Sequence, residues 1–218
     1  CDQDKGEVVA CAKWIYANVK LIGTPGQVYS YNSNHLSLAA AVAMSATGLD
    51  IQSLMQKYLI KPYGMSSSHY SGKGCPDFAG SLVTTAEDYE SFLTHVLRRD
   101  TLRRSISDAA EVDSTPFMGD FYTLYGDYGF GHFLLCFDSI HGMTEKCKQD
   151  MIHMAPGAFG FIPIISRKHG YYLQLAAAEI APTGSYPLSG IPEYLAVALK
   201  PHVDAILEGT APVAQEHL

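Results

Sequence analysis

The hydrophobic pattern changes period part-way along the chain, and this restricts the fold more than any other feature. Between Val8 and Leu97 apolar residues recur at helical spacing. The spacing predicts helices over Val8–Val19, Asn34–Thr47, Asp50–Leu59 and from Thr85 to Leu97. From Tyr122 onward the chain turns to runs of aromatic and β-branched residues broken by glycine. Strands are expected at Tyr128–Phe137, Ala158–Ser166 and Tyr171–Ile180, with Arg167-Lys168-His169-Gly170 as a hairpin turn between the last two. Pro192 opens a final helix to about Leu207, with Pro201 as a kink and Gly209 as a stop. Helices, then strands, then a helix indicate an α+β fold with an antiparallel sheet flanked by helices.

Caps sharpen the helical boundaries. Asn32 or Ser33 can cap the Asn34–Thr47 segment and Gly48 can end it. That segment is small and apolar on nearly all sides, so it is expected to be buried between layers. Thr85 precedes Glu87 and Asp88, acids placed where the helix dipole favours them.

Composition removes several classes of function. The formal charge is −7 over 218 residues, and phosphate binding needs a basic face, so nucleic acid is not expected as a partner. No run of about 18 apolar residues occurs, so no transmembrane segment is expected. No internal repeat or low-complexity tract divides the chain. It begins at Cys1 without a Met or a signal-peptide pattern, which fits either a removed leader or a piece of a longer chain.

There are five cysteines, at 1, 11, 75, 136 and 147. Their spacing fits no zinc framework, and the histidines show neither HxxxH nor HExxH, so neither metal nor cofactor is expected. Cys136 and Cys147 bracket a polar turn and suit a disulfide, and Cys1 and Cys11 are close enough for a second. Two bridges imply a secreted, periplasmic or lumenal protein; five reduced thiols in a cytosolic protein are the alternative.

Two stretches carry chemistry. In the first, Pro25-Gly26-Gln27-Val28-Tyr29-Ser30-Tyr31-Asn32-Ser33-Asn34, a turn delivers Tyr31 and Ser33 to a helix mouth. The positive end of the dipole favours a phenolate there, so Tyr31 can serve as a general base. The plainer alternative makes Tyr31 a packing residue and Ser33 a cap. The second stretch is His153-Met154-Ala155-Pro156-Gly157-Ala158-Phe159-Gly160. Glycines at a strand start allow close approach of a ligand, and their backbone N–H groups can hold an oxyanion. The alternative is a bulge in an ordinary sheet.

Taken in order, these stretches resemble the second and third motifs of the serine β-lactamase and penicillin-binding-protein superfamily, in its class C β-lactamase, D-aminopeptidase and esterase branch. Lys61-Pro62-Tyr63-Gly64-Met65 resembles that branch's PLGM turn. Pro76 to Tyr89 resembles its segment ending in Thr-Thr-x-Asp-Tyr, and Pro156 to Pro163 its glycine-rich strand. Collinear matches run from about Ala10 to Ala178. The resemblance implies one partial β-lactamase-related domain over 1–218, with a helical subregion to about 115 and a sheet with its C-terminal helix over about 120–210. It also implies an incomplete transpeptidase-like fold.

The same resemblance implies acyl transfer through a serine ester on an ester, amide or D-peptide substrate. Tyr31 takes the base position, Ser33 the amide position with Asn32 beside it, and Gly157 with the N–H of Ala158 the strand half of the oxyanion hole. The departures are specific. No Ser-x-x-Lys occurs in these residues, so the nucleophile is expected on a segment or companion chain outside them. Ser33 replaces an Asn. Ala155-Pro156 replaces Lys/His-Thr/Ser, and His153, two residues earlier on the same strand face, is the substitute binding group. The alternative is an inactive relative serving as a structural or binding subunit of a larger assembly.

Overall fold

The structure is a computed structural model. It describes residues 7–21, 23–24, 32–72, 77–98, 115–116, 125–129, 131–136, 144–157, 160–177 and 190–210. The chain divides into two compact units, Cys1–Ala109 with Thr115–Asp120 and Ala110–Ser114 with Phe121–Leu218.

The first unit is mainly helical. Helices α1 (Val8–Asn18) and α2 (Asn34–Thr47) pack together, with Val8, Cys11, Ala12, Ile15 and Ala41 forming the buried seam. The expectation of an enclosed α2 is not met: Ala41 is its only buried residue among those described, and Val42 is 68% exposed. Small residues allow close approach to α1 along one side, but they do not themselves supply a second covering layer. Gly48 ends α2 in the left-handed conformation at φ 67°, as expected.

Asp50 caps α3 (Ile51–Met55), accepting from the Ser53 N–H at 2.9 Å, and the chain continues as a π-helical turn, Gln56–Ile60. The Lys61–Gly64 turn then buries Met65 completely and ties to α4 (Ala86–Arg98) where Ser91 Oγ donates to the Tyr63 carbonyl. A hairpin of two-residue strands, β1 (His69–Tyr70) and β2 (Leu82–Val83), lies between these helices in sequence. Buried Asp88 on α4 accepts from the Ser67 N–H at 2.8 Å and from Ser68 Oγ at 2.7 Å. A third short strand, β3, is Thr115–Pro116.

The second unit is built on antiparallel strands paired in chain order: β4 (Tyr125–Gly129), β5 (His132–Leu135), β6 (Ile152–Met154), β7 (Phe161–Ser166) and β8 (Tyr171–Ala176). Two strand expectations are corrected. The run expected as one strand, Tyr128–Phe137, is the hairpin β4–β5, turned at Gly131 with φ 87°. The strand expected from Ala158 starts at Phe161, because Gly157 to Gly160 close a turn in which the Gly160 N–H donates to the Gly157 carbonyl at 2.9 Å. The Arg167–Gly170 turn forms as expected, closed by the Gly170 N–H on the Ser166 carbonyl at 2.9 Å.

Register places Leu134, His153 and Ile165 on one face of this sheet, and Phe133, Met154 and Ile164 on the other. Thr144 caps α5 (Glu145–Asp150), and a disulfide joins Cys136 at the end of β5 to Cys147 on α5. Cys11 is disulfide-bonded as well; Cys1, its expected partner, lies outside the described residues. The last helix, α6 (Gly190–Leu207), packs against β7 and β8 with Pro201 inside it. No single described helix is long and apolar enough to cross a membrane.

Candidate functional site

The first candidate segment enters α2. Asn32 Oδ1 accepts the Asn34 N–H at 2.9 Å, so the turn before the helix is held by Asn32. Ser33 occupies the N-cap position, and its side chain makes no capping hydrogen bond. Of the two proposed caps, the sequence therefore uses Asn32 and leaves the Ser33 hydroxyl out of the helix terminus. Burial holds the His35 imidazole below its ordinary value, opposed by a hydrogen bond to the Asn32 main chain, which favours a neutral ring in the first turn. Tyr31 lies outside the described residues.

The second segment belongs to the sheet unit. His153 is buried at the centre of β6, paired with Leu134 and Ile165. Its ring stands edge-on to that of His132, with centroids 4.7 Å apart. Beyond β6 the ladder continues: the Ala155 N–H reaches the Pro163 carbonyl at 3.3 Å, and the Gly157 N–H donates to the Phe161 carbonyl at 2.8 Å. The Gly157 N–H is thus committed to the hairpin. A Cβ at Gly157 would lie 2.9 Å from the Phe161 carbonyl oxygen, so glycine is required for that bond. Ala158, expected to supply the oxyanion donor, lies outside the described residues.

Gly160 fixes the far side of this turn. Its φ is 91°, its carbonyl accepts the Ala177 N–H at 2.9 Å, and a Cβ would collide with the Ala177 carbonyl oxygen and come within 3.4 Å of Pro192 Cγ. The turn after His153 is therefore wedged between the end of β8 and the start of α6.

A polar cluster that the sequence reading missed lies at the opposite end of β7. Lys200 is 3% exposed and donates to Asp204 Oδ2 at 2.5 Å. Tyr171 Oη donates to Asp204 Oδ1 at 2.8 Å, and His169 Nδ1 lies 3.3 Å from the same oxygen. His169 Nε2 is 2.8 Å from Glu208 Oε1, and Ser166 Oγ is 3.2 Å from His169 Nδ1. Burial works to raise the Asp204 carboxyl. Hydrogen bonds from Lys200 and Tyr171, with the charges of Lys200 and His169, outweigh it and hold the group below the usual carboxylate range. Burial, then the bond to Asp204 and its charge, push the Tyr171 phenol up.

The only sequence trace of this cluster is the i, i+4 run Lys200, Asp204, Glu208. Ser166 is fully buried, so its contact with His169 is a packing arrangement rather than an exposed nucleophile. Among the described residues no three His, Cys, Asp or Glu side chains group as a metal site.

No family model matches the chain, and no curated protein matches it in sequence. Solved structures do. A provisionally assigned β-lactamase of Bacteroides dorei superposes with a TM-score of 0.62 at 18% identity, over 88% of this chain and 65% of its own. A β-lactamase of Mycobacterium bovis superposes with a TM-score of 0.57 at 19% identity, over 82% of this chain and 67% of its own. The chain thus spans about two thirds of the length of each. The likeness is one of fold: the chain has an incomplete, β-lactamase-like α+β fold.

Proposed function

We propose that this chain is the C-terminal part of a β-lactamase-related serine hydrolase, one partial domain that acts by acyl transfer on an ester, amide or D-peptide. The likeness in fold to two β-lactamases over more than four fifths of this chain carries the reading. In it Tyr31 is the general base, with Ser33 beside it: an uncommitted hydroxyl at the N-cap can bond a substrate amide. Asn32 holds that turn. In the same reading the Ala158 N–H is the oxyanion donor next to Gly157, whose own N–H closes the hairpin on the Phe161 carbonyl, and His153 is the binding group in place of the third motif's cation.

The nucleophile and its lysine come from a segment or companion chain outside these 218 residues, since no Ser-x-x-Lys occurs within them. The buried disulfide fits an oxidising compartment, secreted, periplasmic or lumenal. A second reading has its own support: Ala155 and Pro156 remove the cation and hydroxyl of the third motif, as expected of an inactive relative kept as a structural or binding subunit.

One experiment separates the two. The native gene product is treated with a fluorophosphonate probe, digested and sequenced by mass spectrometry, and its turnover of a chromogenic cephalosporin and a p-nitrophenyl ester is compared with a Tyr31→Phe variant. The hydrolase reading expects a labelled serine outside these residues and a loss of about 100-fold or more in turnover with the variant. No label and no turnover would leave the inactive-subunit reading standing. A label on Ser33 would move the nucleophile into this chain.

A further inference from the structure

The β5–β6 ladder brings together two histidines that no sequence spacing marks. Leu134 and His153 are cross-strand partners, and His132 lies two residues before Leu134. Both imidazoles therefore belong to the sheet face shared with Ile165. The rings meet edge-on, with centroids 4.7 Å apart and planes inclined at 71°. His153 is 5% exposed, and the Nε2 atoms of both rings are shielded from water. Neutral imidazole is the form that ligates metal, and removal from water favours it.

We propose that His132 and His153 together bind a divalent late transition-metal ion, with Zn²⁺ as the ion that imidazole suits and that brings no redox chemistry. The separation of the rings fits. At a Zn–N distance of about 2.1 Å and a ligand angle of about 90–110°, two rings on one ion have centres about 4.5–5.2 Å apart. Adjacent hydrogen-bonded strands hold the rings at this spacing without help from a loop. Among the described residues no third His, Cys, Asp or Glu joins the pair, so the remaining positions go to water or to the carboxylate of a bound ligand. The ion also bears on the proposed function, and this consequence alone rests on that reading. Ala155, two residues beyond His153, takes the place of the third motif's Lys or His. His153 replaces that cation by holding one.

The test uses the full native protein, stripped with a chelator. It is titrated with Zn²⁺ in competition with a chromogenic indicator, and with Co²⁺ for its visible d–d absorption. Wild type is compared with His153→Gln, His132→Gln and His132→Phe, each first shown to unfold cooperatively. The Phe variant keeps a ring at 132 and loses only its nitrogens, so the two changes at 132 decide the matter should His153→Gln fail to fold. The expected result is a single tightly held Zn²⁺, with affinity lowered about tenfold or more in every folded variant and the Co²⁺ absorption lost with it. Binding that any folded variant leaves unchanged belongs to other histidines or thiols and overturns the proposal, as does no binding by the wild type. Fluorophosphonate labelling of the same sample keeps the two ideas separable. Zn²⁺ binding that depends on both rings, without a labelled serine, retains the metal site and sinks the hydrolase; a labelled serine without such binding does the reverse.

Discussion

Tyr171 and Asp204 meet across the hairpin and the C-terminal helix, joined by a 2.8 Å hydrogen bond from the phenol to the carboxylate. The same carboxylate takes the ammonium of Lys200, which is almost wholly removed from water. A buried cation is tolerable only with its partner in place. Asp204→Ala should therefore destabilise the protein by about 2–3 kcal/mol, while a Lys200→Met/Asp204→Leu double variant should lose less than that single change. Urea denaturation of the two variants beside the wild type checks this; equal losses would mean that the pair carries no coupling.

The same carboxylate sets an acid dependence. An ordinary unfolded aspartate titrates near ~3.9, and Asp204 in the folded chain lies below that. Its contribution is full above the unfolded value and disappears as pH falls through the lower folded value. The stability gap between wild type and Asp204→Asn should be constant near neutrality and shrink from about pH 5 downward. Thermal midpoints of both proteins between pH 7 and pH 2.5 give the comparison, and a gap that widens in acid would reverse the assignment.

Gly160 and Gly131 both sit at positive φ but differ in surroundings. At Gly131 nothing lies within 4 Å of a built Cβ, whereas at Gly160 the Ala177 carbonyl blocks it. Gly131→Ala should cost about 1 kcal/mol of backbone strain. Gly160→Ala should cost about 3 kcal/mol or prevent folding, because backbone must also move. Chemical denaturation ranks the pair.

Removing the Cys136–Cys147 bridge frees a loop with a sequence separation of 11 residues. A Cys136→Ala/Cys147→Ala variant should lose about 2–3 kcal/mol by the loop-entropy estimate. Its urea midpoint should fall less on addition of a thiol reductant than the wild-type midpoint does, the bridge at Cys11 being the one still open to reduction among the described residues.

What was legible in the sequence is what short spacing determines. The glycine stops at 48, 170 and 209 were readable because a left-handed residue ends a turn whatever surrounds it, and all three show positive φ. The Cys136–Cys147 bridge was readable from its proximity in sequence. Burial of α2 was not, because an apolar helix does not say how many neighbours it has. The β4–β5 break was legible only in part: the glycines suggested bends, but the aromatics argued for one strand, and only pairing with His132 and Phe133 shows where the turn falls. Of the candidate site, the Asn32 turn was legible, as local caps are. The commitment of the Gly157 N–H to Phe161 was not, since it depends on where the next strand starts. Nor was the cluster at Tyr171: it needs a hairpin and a helix that lie over thirty residues apart in sequence to be brought together.

The mixed polarity of α6, with Lys200 buried and Leu195, Leu199 and Ile206 exposed, bears on how the helix knows its own rotation. Most surface helices are turned by their grease: the oily stripe finds the core and the angle follows. Here hydrocarbon lies on both sides, with Leu195, Leu199 and Ile206 exposed and Ala196, Val197 and Val203 wholly or partly buried, and the contact of Lys200 with Asp204 decides between them. Charge in this helix acts as a compass rather than as glue. Replacing both ions with well-packed apolar residues would remove the compass, and the protein would keep its stability while its last helix gained two competing ways to face.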